Sequence, residues 1–402
     1  LATVRQLRDG VAASDEIDRS LAQVLLATGA LQIQLGQAEV GTARVHEALD
    51  LRRALLGRGG APAADSAAIA TALVLLGDGC AHVDDVDGAM GRYREALAID
   101  EELLAAAPQD PTRISDVGFG HQRVGMLHKR RTKFDAALAE LRTAVGFLER
   151  AGRADPVGVE RAGHTAQARL EIAALNSERG VPFAEQSAEF DDIEHRLRDL
   201  VRRFPRDSRF PRLLSTLLLF RADATDDPRR QLECLDEAVE LGRREVDLQP
   251  LAPDPLEVLS ARLRTRARTL LAQGDLTAAV RDADEAIMLN DRVRAVRPQR
   301  YYFVSGYVGS RSVRMMVARA AGDDECVHRL AKETVDYMDR ELETVEPDST
   351  LELYLLRELL EAQFAGAGGR DRLLVRLGRL RELRGELSAE LVELEREARG
   401  RR

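Results

Sequence analysis

The residues of this chain that could do chemistry are few, and two histidines come first. His121 and His128 lie seven residues apart, which is about two turns at roughly 3.6 residues per turn, so they would share one face of a helix. A metal site on that face would need a further Cys, Asp or Glu between them. Gly125 stands there instead, and we predict no metal site.

Two short segments resemble binding loops but miss required positions. Asp84 to Gly88 has the acids of a calcium loop, yet Val86 occupies a ligand position, so we predict an inter-helix turn with a cap. Between Gly118 and Gly125 the last glycine comes two places too late for a dinucleotide-binding loop. The sequence holds no GxxxxGKS or GxxxxGKT phosphate loop, no HExxH pair and no nucleophile elbow. We therefore predict no cofactor and no enzyme.

A long internal repeat sets the elements that position the side chains. A triplet similar to Glu-Ala-Leu begins at positions 47, 95, 143, 237, 285 and 333. Its central anchor residues are Ala48, Ala96, Ala144, Ala238, Ala286 and Thr334. A glycine precedes each of the first three anchors by nineteen residues, at Gly29, Gly77 and Gly125. Self-similarity at a period of about 48 residues predicts a helical solenoid, in which each unit packs on its neighbours.

The spacing inside each unit resembles the tetratricopeptide repeat (TPR) family. With Gly77 as the eighth position, Ala89, Tyr93 and Ala96 occupy the family's later packing positions and Pro108 closes the unit. The family's usual period is about 34, and the extra residues add about two turns to each helix. The resemblance covers roughly 15 to 348. It implies an all-α, right-handed α-α superhelical solenoid of about seven TPR-like helix pairs with a C-terminal helical cap, similar to long repeats of bacterial signalling proteins.

Composition favours a helical protein outside the membrane. The 402 residues are 45% hydrophobic and 32% charged, carry a net charge of −9 and include no Trp. Apolar runs such as Leu213 to Phe220 are shorter than the roughly 20 residues of a membrane span. The three cysteines lie far apart in sequence and form no disulfide pattern. We expect a cytoplasmic location, and we expect the chain to be cut from a longer polypeptide, because residues 1 to 8 look like the end of a helix.

Four segments are expected along the chain. Residues 1–156 and 208–348 are regular TPR-like repeats, 157–207 is an irregular repeat and possible hinge, and 349–402 is a helical cap or short coiled coil. In the irregular repeat, Gly180 to Pro182 and then Phe183 to Asp192 are expected to lengthen the central turn. Limited proteolysis is accordingly expected between Gly180 and Glu189.

The last segment admits two interpretations. Its leucines fit a heptad seam, which could pair two copies of the chain as a homodimer, but the seam is short and Gly385 interrupts it. A terminal cap that turns a polar face to water is the favoured interpretation. The leucines concerned are Leu373, Leu377, Leu380, Leu387, Leu391 and Leu394.

The TPR resemblance also implies where a partner binds. The first helix of each unit lines a concave groove, and the positions that project into it can be counted from the anchors. They are Phe119, Gln122, Met126, Lys129, Arg130, Arg264, Arg268, Ser312, Met316 and Arg319. Basic points inside an acidic chain favour an acidic protein or peptide over nucleic acid, which needs an extended basic stripe. The family's Lys and Asn carboxylate clamp is absent, since Leu26, Val74 and Gln122 hold its first position.

An aromatic cluster opens the seventh unit. The segment from Arg300 to Gly309 holds Tyr301, Tyr302 and Tyr307, half of the chain's six tyrosines. Aromatic rings beside arginines, here with Arg311, are typical of interface hot spots. The alternative is that the rings pack the sixth unit on the seventh.

The resulting expectation is a protein-protein interaction scaffold or sensor module. A first alternative is the regulatory arm of a larger bacterial signalling enzyme, a serine/threonine kinase or ATPase whose catalytic domain precedes residue 1. A second is a helical enzyme with a site assembled across repeats, which a cleft joining His121, His128 and acidic residues would favour.

Overall fold

The described part of the chain is all-α. The computed structural model describes residues 14–34, 37–59, 61–83, 85–154, 158–250, 252–296, 301–345, 352, 355–356 and 369–400, without the side chains of 34, 296, 301–303, 305, 369 and 400. These ranges hold sixteen α-helices and no strand. The helices are α1 (Asp15–Gln34), α2 (Ala38–Gly57), α3 (Pro62–His82), α4 (Val86–Ala106), α5 (Pro111–Arg130), α6 (Phe134–Ala154), α7 (Val159–Glu178), α8 (Phe183–Arg203), α9 (Arg209–Asp223), α10 (Pro228–Leu248), α11 (Pro253–Ala272), α12 (Leu276–Val296), α13 (Tyr301–Ala320), α14 (Asp324–Glu343), α15 (Gly369–Arg384) and α16 (Ala389–Gly400).

Two compact units divide the chain, residues 1–200 (unit 1) and 201–402 (unit 2). In unit 1 the helices from α1 to α7 pack each on the next, and α1 also contacts α3 as α5 contacts α7. In unit 2 the helices from α9 to α14 pack in the same way, with α11 also against α13. Helices joined by such short turns form antiparallel hairpins. Each unit is therefore a run of TPR-like hairpins whose first helices carry odd numbers.

The repeated anchor residues lie where helices cross. All six are at most 1% exposed. These residues are small because a larger side chain would push the helices of a close-packed hairpin apart. They are Ala48, Ala96, Ala144, Ala238, Ala286 and Thr334.

Turns and caps follow local sequence. Gly274 and Gly322 lie at hairpin turns and have φ of +84° and +75°, a region that residues with a Cβ rarely adopt. The acidic segment that resembles a calcium loop is a helix cap, as predicted. Asp85 accepts a hydrogen bond from the backbone N–H of Gly88 at 2.9 Å and so begins α4.

The fourth hairpin differs from the expected long turn. Its turn is short, with Gly180 at φ +80°, and α8 begins at Phe183. The apolar residues Phe190, Ile193 and Leu197 are fully buried at helical spacing, which holds this segment in the helix. The segment in which we expect proteolytic cleavage is therefore shorter and ends before Phe183.

The C-terminal helices use their leucines inside unit 2. Leu373, Leu377 and Leu380 of α15 and Leu391 and Leu394 of α16 are at most 3% exposed. They share one core with α13 and α14, and Leu387 packs against it. The spacing of these leucines is explained by the packing of α15 and α16 as a cap on this core.

Among the residues that the structure describes, one helix, α3, is long and apolar enough to cross a membrane by length and composition, which the lengths of the apolar runs did not predict. It packs against α1, α2 and α4 and places Leu73 and Leu76 in their shared core. Its buried carboxylate, Asp65, is fully enclosed by protein. In the structure α3 is a core helix.

Candidate functional site

A cavity of about 230 Å³ lies between α1, α3 and α4 in unit 1. Most of its lining is apolar, and the polar groups are the carboxylate of Asp78, the ring of His82 and the hydroxyl end of Tyr93. The lining residues are Ala30, Ile33, Leu75, Asp78, Ala81, His82 and Tyr93. We call this cavity the α3 pocket.

Gly77 creates the space that the ring of Tyr93 fills. A Cβ on Gly77 would lie 2.6 Å from Cδ1 of Tyr93, far inside van der Waals contact. The neighbouring hairpins use the same sixteen-residue spacing for aliphatic side chains, with Val45 opposite Gly29 and Leu141 opposite Gly125. In the second hairpin the partner is a tyrosine, so a hydroxyl group reaches the pocket wall.

The polar side of the α3 pocket is held by hydrogen bonds. The hydroxyl of Tyr93 donates to Oδ1 of Asp78 at 2.6 Å. Burial of the Tyr93 ring, together with the Asp78 carboxylate, raises the pKa of Tyr93, so the hydroxyl keeps its proton and acts as a donor. Nδ1 of His82 lies 3.0 Å from the backbone oxygen of Asp78. Asp78 is therefore engaged by its own protein.

Two arginines of α5 border the α3 pocket. Nε of Arg123 lies 3.9 Å from Oδ1 of Asp78. Arg130 donates to the backbone oxygen of Ala81 at 3.4 Å, and both arginines oppose the rise in the pKa of Tyr93. The rim thus combines one carboxylate, already bonded to a tyrosine, with two positive charges.

The predicted groove residues of α5 differ in how far they are available to a partner. Gln122 is 4% exposed and its Oε1 lies 2.7 Å from Nδ1 of His164. The ring of Phe119 lies 4.3 Å from the same histidine. Met126 is half-buried against the core of α6 and α7. Arg130, by contrast, is exposed beside the α3 pocket.

Lys129 is neutralised by α7. Its Nζ lies 2.7 Å from Oε2 of Glu171 and 3.9 Å from Oε1 of Glu178. An acidic partner would have to displace these carboxylates. Among the predicted basic points of unit 1, Arg130 is the one that borders a cavity.

In unit 2, Arg264 is paired over two glycines with Glu257, whose side chain is 17% exposed. Nη2 of Arg264 lies 3.8 Å from Oε1 of Glu257. A Cβ on Gly306 would collide with the Glu257 carboxylate, and a Cβ on Gly309 would collide with the Arg264 guanidinium. These glycines let α11 place the side chains of Glu257 and Arg264 against the backbone of α13.

Replacing Glu257 with Gln is expected to stabilise unit 2 at alkaline pH. Burial raises the pKa of Glu257 to about 7, Arg264 opposes the rise and Asp254 adds to it. The folded acid therefore holds its proton more tightly than the unfolded one. Its contribution to stability is complete near pH 4 and is lost as the pH rises through 7.

We expect Glu257→Gln to raise the free energy of unfolding by about 1–2 kcal/mol at pH 8 and to leave it nearly unchanged at pH 4. Urea unfolding at both pH values measures this difference. Glu240→Gln, an exposed residue of α10, is the control. An equal effect of Glu257→Gln at both pH values would contradict the prediction.

The aromatic cluster of α13 is packed inside unit 2 where it is described. Tyr307 and Arg311 are both 5% exposed. The guanidinium of Arg311 lies 3.5 Å from the centre of the Tyr307 ring, and Tyr337 of α14 lies 4.3 Å from it. Arg294 of α12 covers both rings. The two rings thus pack α13 on α14 within one hairpin, and Arg294 reaches them from the preceding hairpin. The side chains of Tyr301 and Tyr302 lie outside the described residues.

The remaining predicted residues of unit 2 sit on its first helices. Arg268 is exposed. Burial of Asp223 in α9 raises the pKa of that acid, and the charge of Arg268 partly opposes the rise. Met316 is 48% exposed, Arg319 is exposed and Ser312 is half-buried. These residues therefore line a surface of α11 and α13, and the α3 pocket lies in the other unit.

The two histidines on one face of α5 share an acid. Nδ1 of His121 lies 2.7 Å from Oε2 of Glu140, and Glu140 also raises the pKa of His128 against the larger lowering by burial. Phe147 stacks on His121 at 5.7 Å. The group lies within the packing of α5 on α6. In the part of the chain that the structure describes, no set of three or more His, Cys, Asp or Glu could hold a metal ion.

Sequence reasoning missed most of the α3 pocket. Asp78 was not predicted to take part in binding, and Tyr93 entered only as a packing residue. The signal was present, since a tyrosine sixteen residues after a glycine, where its neighbours have aliphatic side chains, must place a hydroxyl near Asp78. Ile33 and Ala30 could not be added without knowing how α1 meets α3.

No family model and no curated protein matches the chain. The solved structures to which the chain is similar include TPR proteins. A thermophilic TPR protein of Thermus thermophilus is 16% identical, with 60% of this chain and 99% of that chain covered and a TM-score of 0.36.

Two further matches cover more of the chain. A TPR protein of Parabacteroides merdae is 13% identical, with 82% of this chain and 98% of that chain covered and a TM-score of 0.35. The human IFIT1 dimer with m7Gppp-AAAA is 14% identical, with 96% of this chain and 86% of that chain covered and a TM-score of 0.41.

Proposed function

We propose that this chain of TPR-like hairpins is a protein-interaction module that binds an acidic partner segment on the first helices of unit 1. The observation that carries the proposal is the α3 pocket, an apolar cavity bordered by Arg123 and Arg130. One apolar side chain of the partner enters the pocket. Neighbouring carboxylates of the partner lie against the two arginines.

The size of the pocket favours a side chain over a small-molecule ligand. Its volume of about 230 Å³ is below the roughly 300–1,000 Å³ of small-molecule sites. The helices that line the pocket are already folded, so the conformational entropy lost on binding is that of the peptide alone. The charges favour an acidic partner over a basic one, because the Asp78 carboxylate already accepts a hydrogen bond from Tyr93.

Nucleic acid is the less favoured partner. RNA binding would need an extended basic surface. Here Lys129 is paired with Glu171 and Arg264 with Glu257, so the basic points are interrupted by acids. The m7Gppp-AAAA held by IFIT1 is a ligand of that protein.

A labelled short peptide with a central leucine flanked by glutamates tests the proposal. Fluorescence anisotropy should show saturable binding to the full chain, at least tenfold weaker for Arg130→Glu, since a rim charge is reversed. Arg142→Glu, on an exposed position of α6, should bind as the wild type does. A peptide with serine in place of leucine should bind more weakly than the parent.

Each alternative outcome is decisive. Equal loss in Arg130→Glu and Arg142→Glu would show nonspecific charge attraction and would remove the α3 pocket from the proposal. Saturable binding of a short single-stranded RNA, with none of the peptide, would replace the protein partner by nucleic acid. We also propose a cytoplasmic location, with which the absence of a disulfide at Cys80, Cys234 and Cys326 is compatible.

A further inference from the structure

Asp78 stands in the α3 pocket at a position where the neighbouring hairpins have apolar residues. One repeat period of 48 residues earlier the chain has Ala30, and one period later it has Met126. Tyr93 differs from its own equivalents in the same hairpin, since those are aliphatic. The two exceptions are in contact, because the Tyr93 hydroxyl donates to Oδ1 of Asp78 at 2.6 Å. The second hairpin therefore carries a polar pair that the hairpins on either side of it lack.

Tyr93 uses one oxygen of the Asp78 carboxylate. Oδ1 accepts from Tyr93 and lies 3.9 Å from Nε of Arg123. Among the residues that the structure describes, none donates a hydrogen bond to the other oxygen, Oδ2. The Asp78 side chain is 35% exposed and lines the pocket. Oδ2 is therefore an acceptor that a ligand in the pocket can reach, on a carboxylate that is held through Oδ1.

A wholly apolar ligand would leave Oδ2 without any hydrogen bond. A side chain that fills the pocket removes water from this oxygen, and a carboxylate that loses water without gaining a donor is unfavourable. A side chain with an N–H or O–H group replaces the lost bond, and hydrogen bonds to charged acceptors are the stronger ones. The pocket therefore favours a side chain that carries a donor.

The size and the walls of the pocket favour an aromatic ring. A dry cavity of about 150 Å³ holds benzene, which has six heavy atoms. In proportion, phenol needs about 175 Å³ and indole about 225 Å³, and the α3 pocket has about 230 Å³. The four side-chain carbons of a leucine would fill only about 100 Å³. The rings of Tyr93 and His82 lie in the wall, where an aromatic guest can pack against them.

We propose that the side chain that enters the α3 pocket is an aromatic ring with a hydrogen-bond donor, the phenol of a tyrosine or the indole of a tryptophan. The ring donates to Oδ2 of Asp78. Tyr93 is the positioning residue, because it holds the carboxylate through Oδ1. Acidic residues of the same segment lie against Arg123 and Arg130. This inference rests on the proposed function and names the side chain that the site selects.

Matched peptides test the selection on the full chain. The labelled peptide keeps its flanking glutamates and carries tyrosine or phenylalanine in the centre, which differ by the hydroxyl group alone. A second pair carries tryptophan or benzothienylalanine, in which sulfur replaces the indole N–H. We expect the tighter of the tyrosine and tryptophan peptides to bind at least about tenfold more tightly than its analogue without the donor. That peptide also identifies which ring the pocket takes.

Asp78→Asn tests the acceptor. The variant keeps an oxygen for Tyr93 but turns an N–H group toward the position of Oδ2. The loss of a negative charge should tighten the binding of every acidic peptide, so the readout is the ratio of Kd values within the matched pair. That ratio should fall from about tenfold to less than about threefold. Asp50→Asn, at an exposed position of α2, should keep the wild-type ratio, and an unchanged ratio in Asp78→Asn would overturn the proposal.

The outcomes separate this inference from the proposed function. Equal affinities within both matched pairs, together with weaker binding to Arg130→Glu, would overturn the aromatic donor and leave the acidic-segment site in place. No binding of any of these peptides would overturn both.

Discussion

Asp65→Ala is expected to destabilise unit 1 by about 3–5 kcal/mol, the cost of breaking a buried ion pair and leaving its partner charged. Asp65 is fully buried and accepts from Arg52 at 2.9 Å and from Arg19 at 3.2 Å. Burial alone would raise the pKa of Asp65, but the two arginines outweigh it and lower the pKa, so the carboxylate is charged at neutral pH. Without it, Arg52 at 7% exposure keeps a charge inside the protein.

Urea unfolding of the full chain measures this loss, and hydrogen exchange of α1 to α3 assigns it to unit 1. Asp87→Ala is the matched control. Asp87 pairs with Arg131, but the Asp87 side chain is 92% exposed, so its removal should cost less than about 1 kcal/mol of stability. The double change Asp65→Leu with Arg52→Met should recover much of the stability, since no buried charge is then left unpaired. Similar losses for Asp65→Ala and Asp87→Ala would contradict the prediction.

Gly77→Ala is expected to destabilise unit 1 by about 1–3 kcal/mol through overpacking. The new methyl group would lie 2.6 Å from Cδ1 of the Tyr93 ring, a rigid group that has to move. Alanine is a better helix former than glycine by about 1 kcal/mol, so the clash has to exceed that gain. Moving the ring also disturbs the Asp78 hydrogen bond, so peptide binding should weaken with stability.

Gly91→Ala in α4 is the control for this change. It has nothing within 4 Å of the added Cβ and should stabilise the protein by about 0.5–1 kcal/mol. The same chemical change is therefore expected to have opposite signs at Gly77 and Gly91, measured by thermal unfolding. Tyr93→Leu should relieve the cost of Gly77→Ala in the double variant. A stabilising Gly77→Ala would mean that the ring does not lie over Gly77.

Much of the architecture could be derived from sequence because it is local. Small anchors such as Ala96 and Ala286 must lie where helices cross, since no larger side chain fits there, and both are buried. Glycine at 274 and 322 marks hairpin turns because those turns need positive φ. The internal repeat and its TPR-like spacing predicted the hairpins, and the prediction was wrong at Phe183, which begins α8 where a longer turn was expected.

The tertiary structure alone decided which side chains meet. Tyr93, Asp78 and Ile33 join one pocket because α1, α3 and α4 pack together, and their separation in sequence contains no measure of that contact. Arg52 of α2 and Arg19 of α1 pair with Asp65 of α3, a contact that only the packed side chains settle. Spacing determines which face of a helix a residue occupies, but contact, burial and charge depend on what the neighbouring helices bring to that face.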